Sequence, residues 1–213
     1  MSIVSRIKDL NKELPQSVKL VAVSKFKPSS DILEAYSAGQ RAFGESRPQE
    51  LAAKAAELPK DIEWHFIGHL QTNKVRSVVE TASLIQSVDS EHLLRAIDKA
   101  AESLGRTACC LLEIHISSES TKQGFSFDEA RDIVSHCEDY PHVRLLGVMG
   151  MATFTSDFGQ VRKEFRSLRE FCESIDLQGF NQISMGMSDD YPIALEEGTT
   201  IVRIGTSIFG SRI

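Results

Sequence analysis

The stretch VKLVAVS, residues 18–24, is a short apolar run rich in β-branched side chains, and Lys25 follows it directly. A run of this length and composition is typical of a buried β-strand. Pro28 and the polar residues 29–31 then signal the start of a helix, and Gly39 is suited to end it. This stretch therefore predicts a strand followed by a helix, the unit from which parallel sheets are built.

The same alternation continues along the chain. Further strands are predicted at residues 41–44, 62–67, 84–88, 108–116, 143–148, 181–185 and 200–204. Helical patterns separate them, such as those over 128–137 and 158–175, and an amphipathic helix over residues 1–14 comes before the first strand. This order predicts the α/β class, as a single (β/α)8 TIM-type barrel with an extra N-terminal helix, formed by residues 1–213 as one domain. The alternative is an open, doubly wound sheet, but no Gly-x-Gly-x-x-Gly motif follows an early strand.

Composition excludes several classes of function. Among 213 residues, 41% are hydrophobic and 25% charged, and the formal net charge is −6. Proteins that bind nucleic acids are usually basic overall or carry a stripe of basic residues, and neither feature is visible in this sequence. No apolar stretch approaches membrane-spanning length and no signal peptide is recognisable, so we expect a cytoplasmic protein without a membrane partner. The cysteines have no zinc-site spacing, so we expect no metal and a structural role for Cys109, Cys110, Cys137 and Cys172.

Lys25 is the first candidate site residue, because the active face of a (β/α)8 barrel lies at the carboxyl ends of its strands. Its position alone favours an ordinary surface lysine at the end of a strand. The alternative is a lysine in an enclosed pocket, where burial would lower the pKa of the amine and free it to form a Schiff base with an aldehyde.

Small residues follow the seventh and eighth strands. The segments SMGMS at 184–188 and RIGT at 203–206 combine glycines with hydroxyl side chains. Glycines let backbone N–H groups approach a phosphate, and loops after these two strands are its recurrent binding site in this fold. The alternative is that Gly186 and Gly205 only serve tight turns, and the sequence favours neither interpretation.

Arg203 lies within the apolar run IVRIG, where a charged residue needs a partner. In a closed barrel the eighth strand pairs with the first, which would place Arg203 and Lys25 close together. Met149 ends the sixth strand and could pack against a bound ring. An aldehyde for the lysine, a phosphate for the loops and a ring nitrogen for the arginine are all present in pyridoxal 5'-phosphate.

Several motifs carry a resemblance to a known family. They are VAVSKFKP (21–28), FGESRPQE (43–50), WHFIGHLQTNK (64–74), QSVDS (86–90), MGMATF (149–154) and SMGMSDDYPIALEEGTTIVRIGTSIFGSR (184–212). Together they resemble the YggS/PROSC family of pyridoxal phosphate homeostasis proteins over nearly the whole chain. The resemblance implies the fold of the barrel domain of alanine racemase, without that enzyme's second, β-rich domain.

The resemblance also implies residue roles. Lys25 would be the Schiff-base lysine that holds pyridoxal 5'-phosphate, Ser184, Gly205 and Thr206 would contact the phosphate, and Arg203 would face the pyridine nitrogen. An arginine only donates hydrogen bonds, so it would disfavour protonation of that nitrogen and suppress carbanion chemistry.

Two positions depart from the family's pattern, and the role of His65 is open as well. Ser46 stands where the family has Asn, so a contact there is in doubt. Thr121-Lys122 stands where the family has Ser-Lys, and we expect a solvated Lys122, with a second basic group at the mouth as the alternative. For His65 we favour a satisfied core histidine over a residue that lines the barrel.

Two functions remain open. The first is a protein of pyridoxal phosphate homeostasis with little or no amino-acid turnover, partnered by the cofactor and by pyridoxal-phosphate-dependent apoenzymes. The second is a small amino acid racemase, which needs a second base on the other face of the substrate carbon. The chain ends at Ile213, so we expect no second domain and a monomer. Tyr36 and Tyr140 are predicted away from the mouth, while Tyr191 stays a candidate base.

Overall fold

The computed structural model describes residues 2–119 and 123–210 of the chain. In these residues eight strands alternate with helices. The strands are β1 (Lys19–Val23), β2 (Ala42–Glu45), β3 (Glu63–Phe66), β4 (Leu84–Val88), β5 (Ala108–Ile114), β6 (Val143–Gly150), β7 (Gln182–Ser184) and β8 (Ile201–Ile204). The helices are α1 (Ile3–Glu13), α2 (Ser29–Ser37), α3 (Pro48–Glu57), α4 (Val75–Thr81), α5 (Glu91–Ser103), α6 (Phe127–Ser135), α7 (Phe158–Glu173), α8 (Tyr191–Glu196) and α9 (Thr206–Phe209).

The eight strands form a closed parallel barrel in chain order. Closure depends on the pairing of β1 with β8, in which Leu20 lies opposite Val202 and Val21 opposite Arg203. An open sheet has two edge strands that are paired on one side only, whereas here every strand has a partner on both sides. The predicted (β/α)8 barrel with its N-terminal helix is therefore confirmed, and the doubly wound alternative is wrong.

Two separate groups of apolar residues fill the molecule. The larger lies between the barrel and its helices and includes Phe43, Phe66 and Phe165, none of them exposed. The smaller fills part of the barrel interior and contains six buried residues, which are Val21, Ala42, Leu84, Leu111, Met149 and Ile201. Because side chains alternate between the two faces of a strand, the remaining inward positions are open to polar residues. Gln86, Ser184 and Arg203 are among the buried polar side chains.

Helix α1 is tied to the elements that follow β8 and β1. It buries Ile7 and Leu10 in the larger apolar group. Arg6 donates to the carbonyl oxygen of Ile208 in α9 at 2.9 Å, and the Ile3 amide donates to Glu34 of α2 at 3.0 Å. The extra helix thereby holds α9 in place beside the carboxyl end of β8. None of the helices in the two described ranges is long and apolar enough to cross a membrane.

Helix α6 begins one residue earlier and ends two residues earlier than its periodicity predicts. Its start is set by a capping box, in which the Ser126 hydroxyl accepts from the Glu129 amide and the Glu129 carboxylate accepts from the Ser126 amide. Its last predicted residues fall outside the α-helix, because a 3-10 turn over Cys137–Asp139 takes over there. The spacing of apolar residues alone cannot distinguish an α-helical turn from a 3-10 turn.

Candidate functional site

A cavity of about 300 Å³ opens at the carboxyl ends of the strands. Four of the six predicted site residues line it: Lys25, Arg203, Gly205 and Thr206. Its volume lies at the lower end of the range for small-molecule sites, roughly 300–1,000 Å³. The ends of β1 and β8 therefore meet at one concave site, as the strand-end argument predicts.

Ser184 and Met149 do not line this cavity. Ser184 is fully buried, and Met149 belongs to the small apolar group inside the barrel. The two residues lie opposite each other in the pairing of β6 with β7. Both side chains point into the barrel below the mouth. Their direct contact with a bound cofactor stays a prediction, and this placement does not favour it.

Lys25 lies in a backbone turn that is fixed on both sides. Phe26 has a φ of +64°, in the left-handed region that side chains other than glycine rarely adopt. The Phe26 amide donates to the Glu50 carboxylate at 2.7 Å, and the Ser24 carbonyl oxygen accepts from Lys54 Nζ at 2.9 Å. A strained backbone conformation of this kind persists only where the surrounding residues hold it in place. Such conformations are common at functional sites.

A buried charge cluster supplies this support. Lys54 of α3 donates to Glu45 of β2 at 2.8 Å and to Glu50 at 2.6 Å, and its side chain is 8% exposed while that of Glu45 is fully buried. The Ser24 hydroxyl donates to Glu45 at 2.6 Å. Burial raises the pKa of Glu45, and its hydrogen bond with Lys54 opposes this rise. The cluster therefore holds the Lys25 turn from beneath.

Lys54, Glu45 and Glu50 are not predicted as site residues from the sequence. Glu50 and Lys54 stand four residues apart on α3, which is the spacing of an ion pair on one helix face. That spacing could have suggested the pair. It could not have shown that the pair faces the barrel and not the solvent, because such pairs occur mostly on exposed helix surfaces.

Arg203 is held by oxygen atoms of the neighbouring strands. Its Nη1 donates to the carbonyl oxygen and the hydroxyl of Ser184, at 2.8 and 2.6 Å, and its Nη2 donates to the Gly150 carbonyl oxygen at 3.1 Å. Burial lowers its pKa to about 10, against the raising effect of Glu113 and Asp190. The guanidinium stays charged at neutral pH and is available to an electron-rich group in the cavity.

Glu113 is one of the groups near Arg203 whose pKa is perturbed. Burial, with a smaller contribution from Asp89, raises its pKa to about 7, while Arg203 lowers it. This carboxyl group on β5 therefore titrates closer to neutral pH than an ordinary glutamate does. No role for Glu113 is predicted from the sequence, and residues 2–119 and 123–210 contain no cluster of three or more potential metal ligands.

The loops after β7 and β8 meet at the cavity. The Ser207 amide lies 3.4 Å from the Ser188 hydroxyl, which also lines the cavity. Gly186 has a φ of +92°, and a Cβ there would lie 2.6 Å from the Ala194 side chain. A Cβ on Gly205 would lie 3.3 Å from Val23. Both glycines pack closely against protein atoms, Gly186 in a turn that its positive φ requires, and of the two Gly205 lines the cavity.

The three tyrosines are hydrogen-bonded to carboxylates elsewhere. Tyr36 donates to Asp61 at 2.8 Å, Tyr140 to Glu91 at 3.0 Å and Tyr191 to Glu13 at 2.8 Å, and none of them lines the cavity. Tyr191, the one open candidate, is thus turned toward α1. His65 is 2% exposed and hydrogen-bonded to Gln86 inside the barrel. Lys122 lies outside the described residues, and Ser46 does not line the cavity.

Comparison with known proteins places these features in context. The family model of the alanine racemase N-terminal domain matches residues 2–213. The pyridoxal phosphate homeostasis protein of Haemophilus influenzae is 39% identical over 203 residues, which cover 92% of this chain and 86% of that protein.

Two solved proteins have similar structures. PipY of Synechococcus elongatus is 38% identical, with TM-scores of 0.94 without PLP and 0.90 with PLP bound, covering 98% of this chain and 100% of PipY. Alanine racemase of Streptomyces coelicolor gives a TM-score of 0.77 at 18% identity, covering 99% of this chain and 58% of that enzyme. The racemase shows a shared fold alone.

Proposed function

We propose, since the chain belongs to the alanine racemase N-terminal domain family, that it binds pyridoxal 5'-phosphate at the barrel mouth and serves the homeostasis of this cofactor. The observation that carries the proposal is the cavity that Lys25, Arg203, Gly205 and Thr206 line together. The name of the Haemophilus influenzae protein and the PLP bound to PipY support it.

Each residue type at the cavity suits one part of the cofactor. When bound, pyridoxal phosphate supplies an aldehyde and an electron-withdrawing ring. The Lys25 amine would form the covalent bond to the aldehyde carbon. Backbone N–H groups near Gly205 and the Thr206 hydroxyl would bind the phosphate. Arg203 would face the ring nitrogen and keep it unprotonated, because a guanidinium donates hydrogen bonds and accepts none.

The arrangement favours holding the cofactor over turning over amino acids. A racemase needs a second base opposite the lysine, and the phenol of each tyrosine is bonded to a carboxylate away from the cavity. An arginine at the ring nitrogen would weaken the ring as an electron sink. We therefore propose that Lys25 is a reversible tether, from which pyridoxal phosphate passes to apoenzymes of the cytoplasm, and that the protein works as a monomer.

Trapping of the cofactor tests this proposal. The purified protein is mixed with pyridoxal phosphate, reduced with borohydride and digested, and the labelled peptide is identified by mass spectrometry. We expect the label on Lys25, its loss in Lys25→Ala, and its retention in the matched variant Lys27→Ala, whose lysine lines the same cavity. A label on Lys27 would overturn the assignment of the lysine.

A second assay separates the two functions. The loaded protein is incubated with L-alanine, D-alanine or serine, and the enantiomers are separated over time. We expect no rapid interconversion. Rapid racemisation by the parent protein, lost in Lys25→Ala, would contradict the homeostasis function and establish the racemase instead.

A further inference from the structure

A continuous chain of hydrogen bonds crosses the barrel interior beneath the mouth. Arg203 on β8 donates to the hydroxyl of Ser184 on β7 at 2.6 Å, and this hydroxyl lies 2.6 Å from Oε1 of Gln86 on β4. The Gln86 Nε2 lies 2.7 Å from Nδ1 of His65 on β3. The chain starts at the candidate cofactor site and ends at a second cavity, of about 350 Å³, which His65 lines.

The direction of each hydrogen bond follows from chemistry. Arginine can only donate, so the Ser184 oxygen accepts from Arg203. The Ser184 hydrogen is then donated to the Gln86 oxygen, which leaves the Gln86 NH₂ group facing His65. Nδ1 of His65 must accept, so the ring is neutral and carries its hydrogen on Nε2. Burial lowers the pKa of His65 to about 4, in agreement with a neutral ring.

Of the three acceptors that hold Arg203 in the described part of the chain, the Ser184 hydroxyl alone can rotate. The carbonyl oxygens of Ser184 and Gly150 are fixed by the backbone, whereas the Ser184 hydroxyl rotates about its C–O bond. Its lone pairs face Arg203 only while its hydrogen points elsewhere. Gln86 is the acceptor that takes this hydrogen, and His65 fixes the amide of Gln86 in turn.

We propose that Gln86 and His65 are positioning residues, which hold the Ser184 hydroxyl in the orientation that fixes the Arg203 guanidinium toward the cofactor ring. This inference rests on the proposed function, because the role of Arg203 at the ring nitrogen belongs to it. It gives Ser184 a role that needs no direct contact with the cofactor. If this chain of hydrogen bonds were only structural, breaking it would affect folding but not the electronic state of the cofactor ring.

The first test uses the protein without cofactor. Nitrogen-15 NMR of labelled histidine reports which ring nitrogen carries the hydrogen, and His65→Asn identifies the signal of His65. We expect the tautomer protonated on Nε2 at neutral pH. A hydrogen on Nδ1, or a charged ring, would overturn the direction of the chain whether or not the protein binds pyridoxal phosphate.

The second test breaks the chain at Gln86. In Gln86→Leu the Ser184 hydroxyl has no acceptor and can turn its hydrogen toward Arg203. We expect binding of pyridoxal phosphate to weaken about tenfold, the size of one lost hydrogen bond to a charged group. We also expect a shifted absorption spectrum of the bound cofactor, with borohydride trapping still on Lys25. The control Leu111→Val alters an apolar residue of the same interior and should keep the parent spectrum.

A pair of variants at His65 keeps the test decisive if Gln86→Leu does not fold. His65→Asn retains an acceptor near the position of Nδ1 and should keep the parent spectrum, whereas His65→Leu removes it and should shift the spectrum in the direction of Gln86→Leu. Equal spectra for all folded variants and the parent would overturn the positioning role. Failure of the parent protein itself to take up the cofactor would instead refute the proposed function.

Discussion

Replacement of Lys54 by methionine should sharply destabilise the protein at neutral pH. Methionine keeps the shape of the side chain but removes the charge that faces the fully buried Glu45. Removing one partner of a buried ion pair costs about 3–5 kcal/mol, because the other charge stays buried without compensation. A chain of this size loses about 2–4 °C of melting temperature per kcal/mol, so Tm should fall by roughly 6–20 °C.

The loss should depend on pH in a defined direction. Burial already raises the pKa of Glu45, and Lys54 counteracts this rise, so the pKa should be higher still in Lys54→Met. A carboxyl group whose pKa is higher in the folded than in the unfolded protein binds more protons when folded, and stability then increases as the pH falls. The difference between variant and parent should therefore shrink from pH 7 toward pH 5.

Urea denaturation of parent and variant at several pH values measures both effects. Lys99→Met, which removes an exposed lysine of α5, is the matched control and should change the free energy of unfolding by less than about 0.5 kcal/mol. Adding Glu45→Gln to Lys54→Met should recover most of the loss. A deficit that stays the same at pH 5 and pH 7, or that the second substitution does not reduce, would refute the assignment to a buried charge.

Three further substitutions have defined outcomes. Gly205→Ala places a methyl group 3.3 Å from Val23, and both residues line the cavity, so the cavity wall must shift and dialysis should show weaker binding of pyridoxal phosphate; equal affinity would argue against close approach at this loop. Gly147→Ala brings a Cβ to 1.9 Å from the Gln182 carbonyl oxygen at a φ of +149°, and thermal melting should show a loss of several degrees or no folded protein. Ser126→Ala removes the cap of α6 and should cost about 1 kcal/mol in urea denaturation, an effect that a loss below a few tenths would contradict.

The sequence predicts the fold because each strand is a distinct apolar run and each connection is short. It also predicts that Lys25, Arg203, Gly205 and Thr206 lie at one cavity, since strand ends meet at one end of a closed barrel. No pattern in the residues could determine how far each side chain lies below the rim. Ser184 ends its strand but points into the interior, where its hydroxyl is already bonded.

The residues that support the site are harder to predict, because their types are ambiguous. Lys54 lies on a helix full of alanines, and a lysine there is normally solvated. Gln86 lies in an apolar strand without any sign that it faces Ser184, which is 98 residues away along the chain. Such contacts follow from closure of the barrel and not from local sequence patterns.

The division of the apolar residues into two groups has a consequence for how this protein can evolve. Among residues 2–119 and 123–210, most of the apolar burial lies between the barrel and its helices, and six buried apolar residues belong to the interior group. Substitutions within the barrel can therefore alter the polar groups that face a ligand while the larger core still holds the fold. Apolar burial and the polar groups that face a ligand are encoded at largely different positions, so selection can act on one while conserving the other.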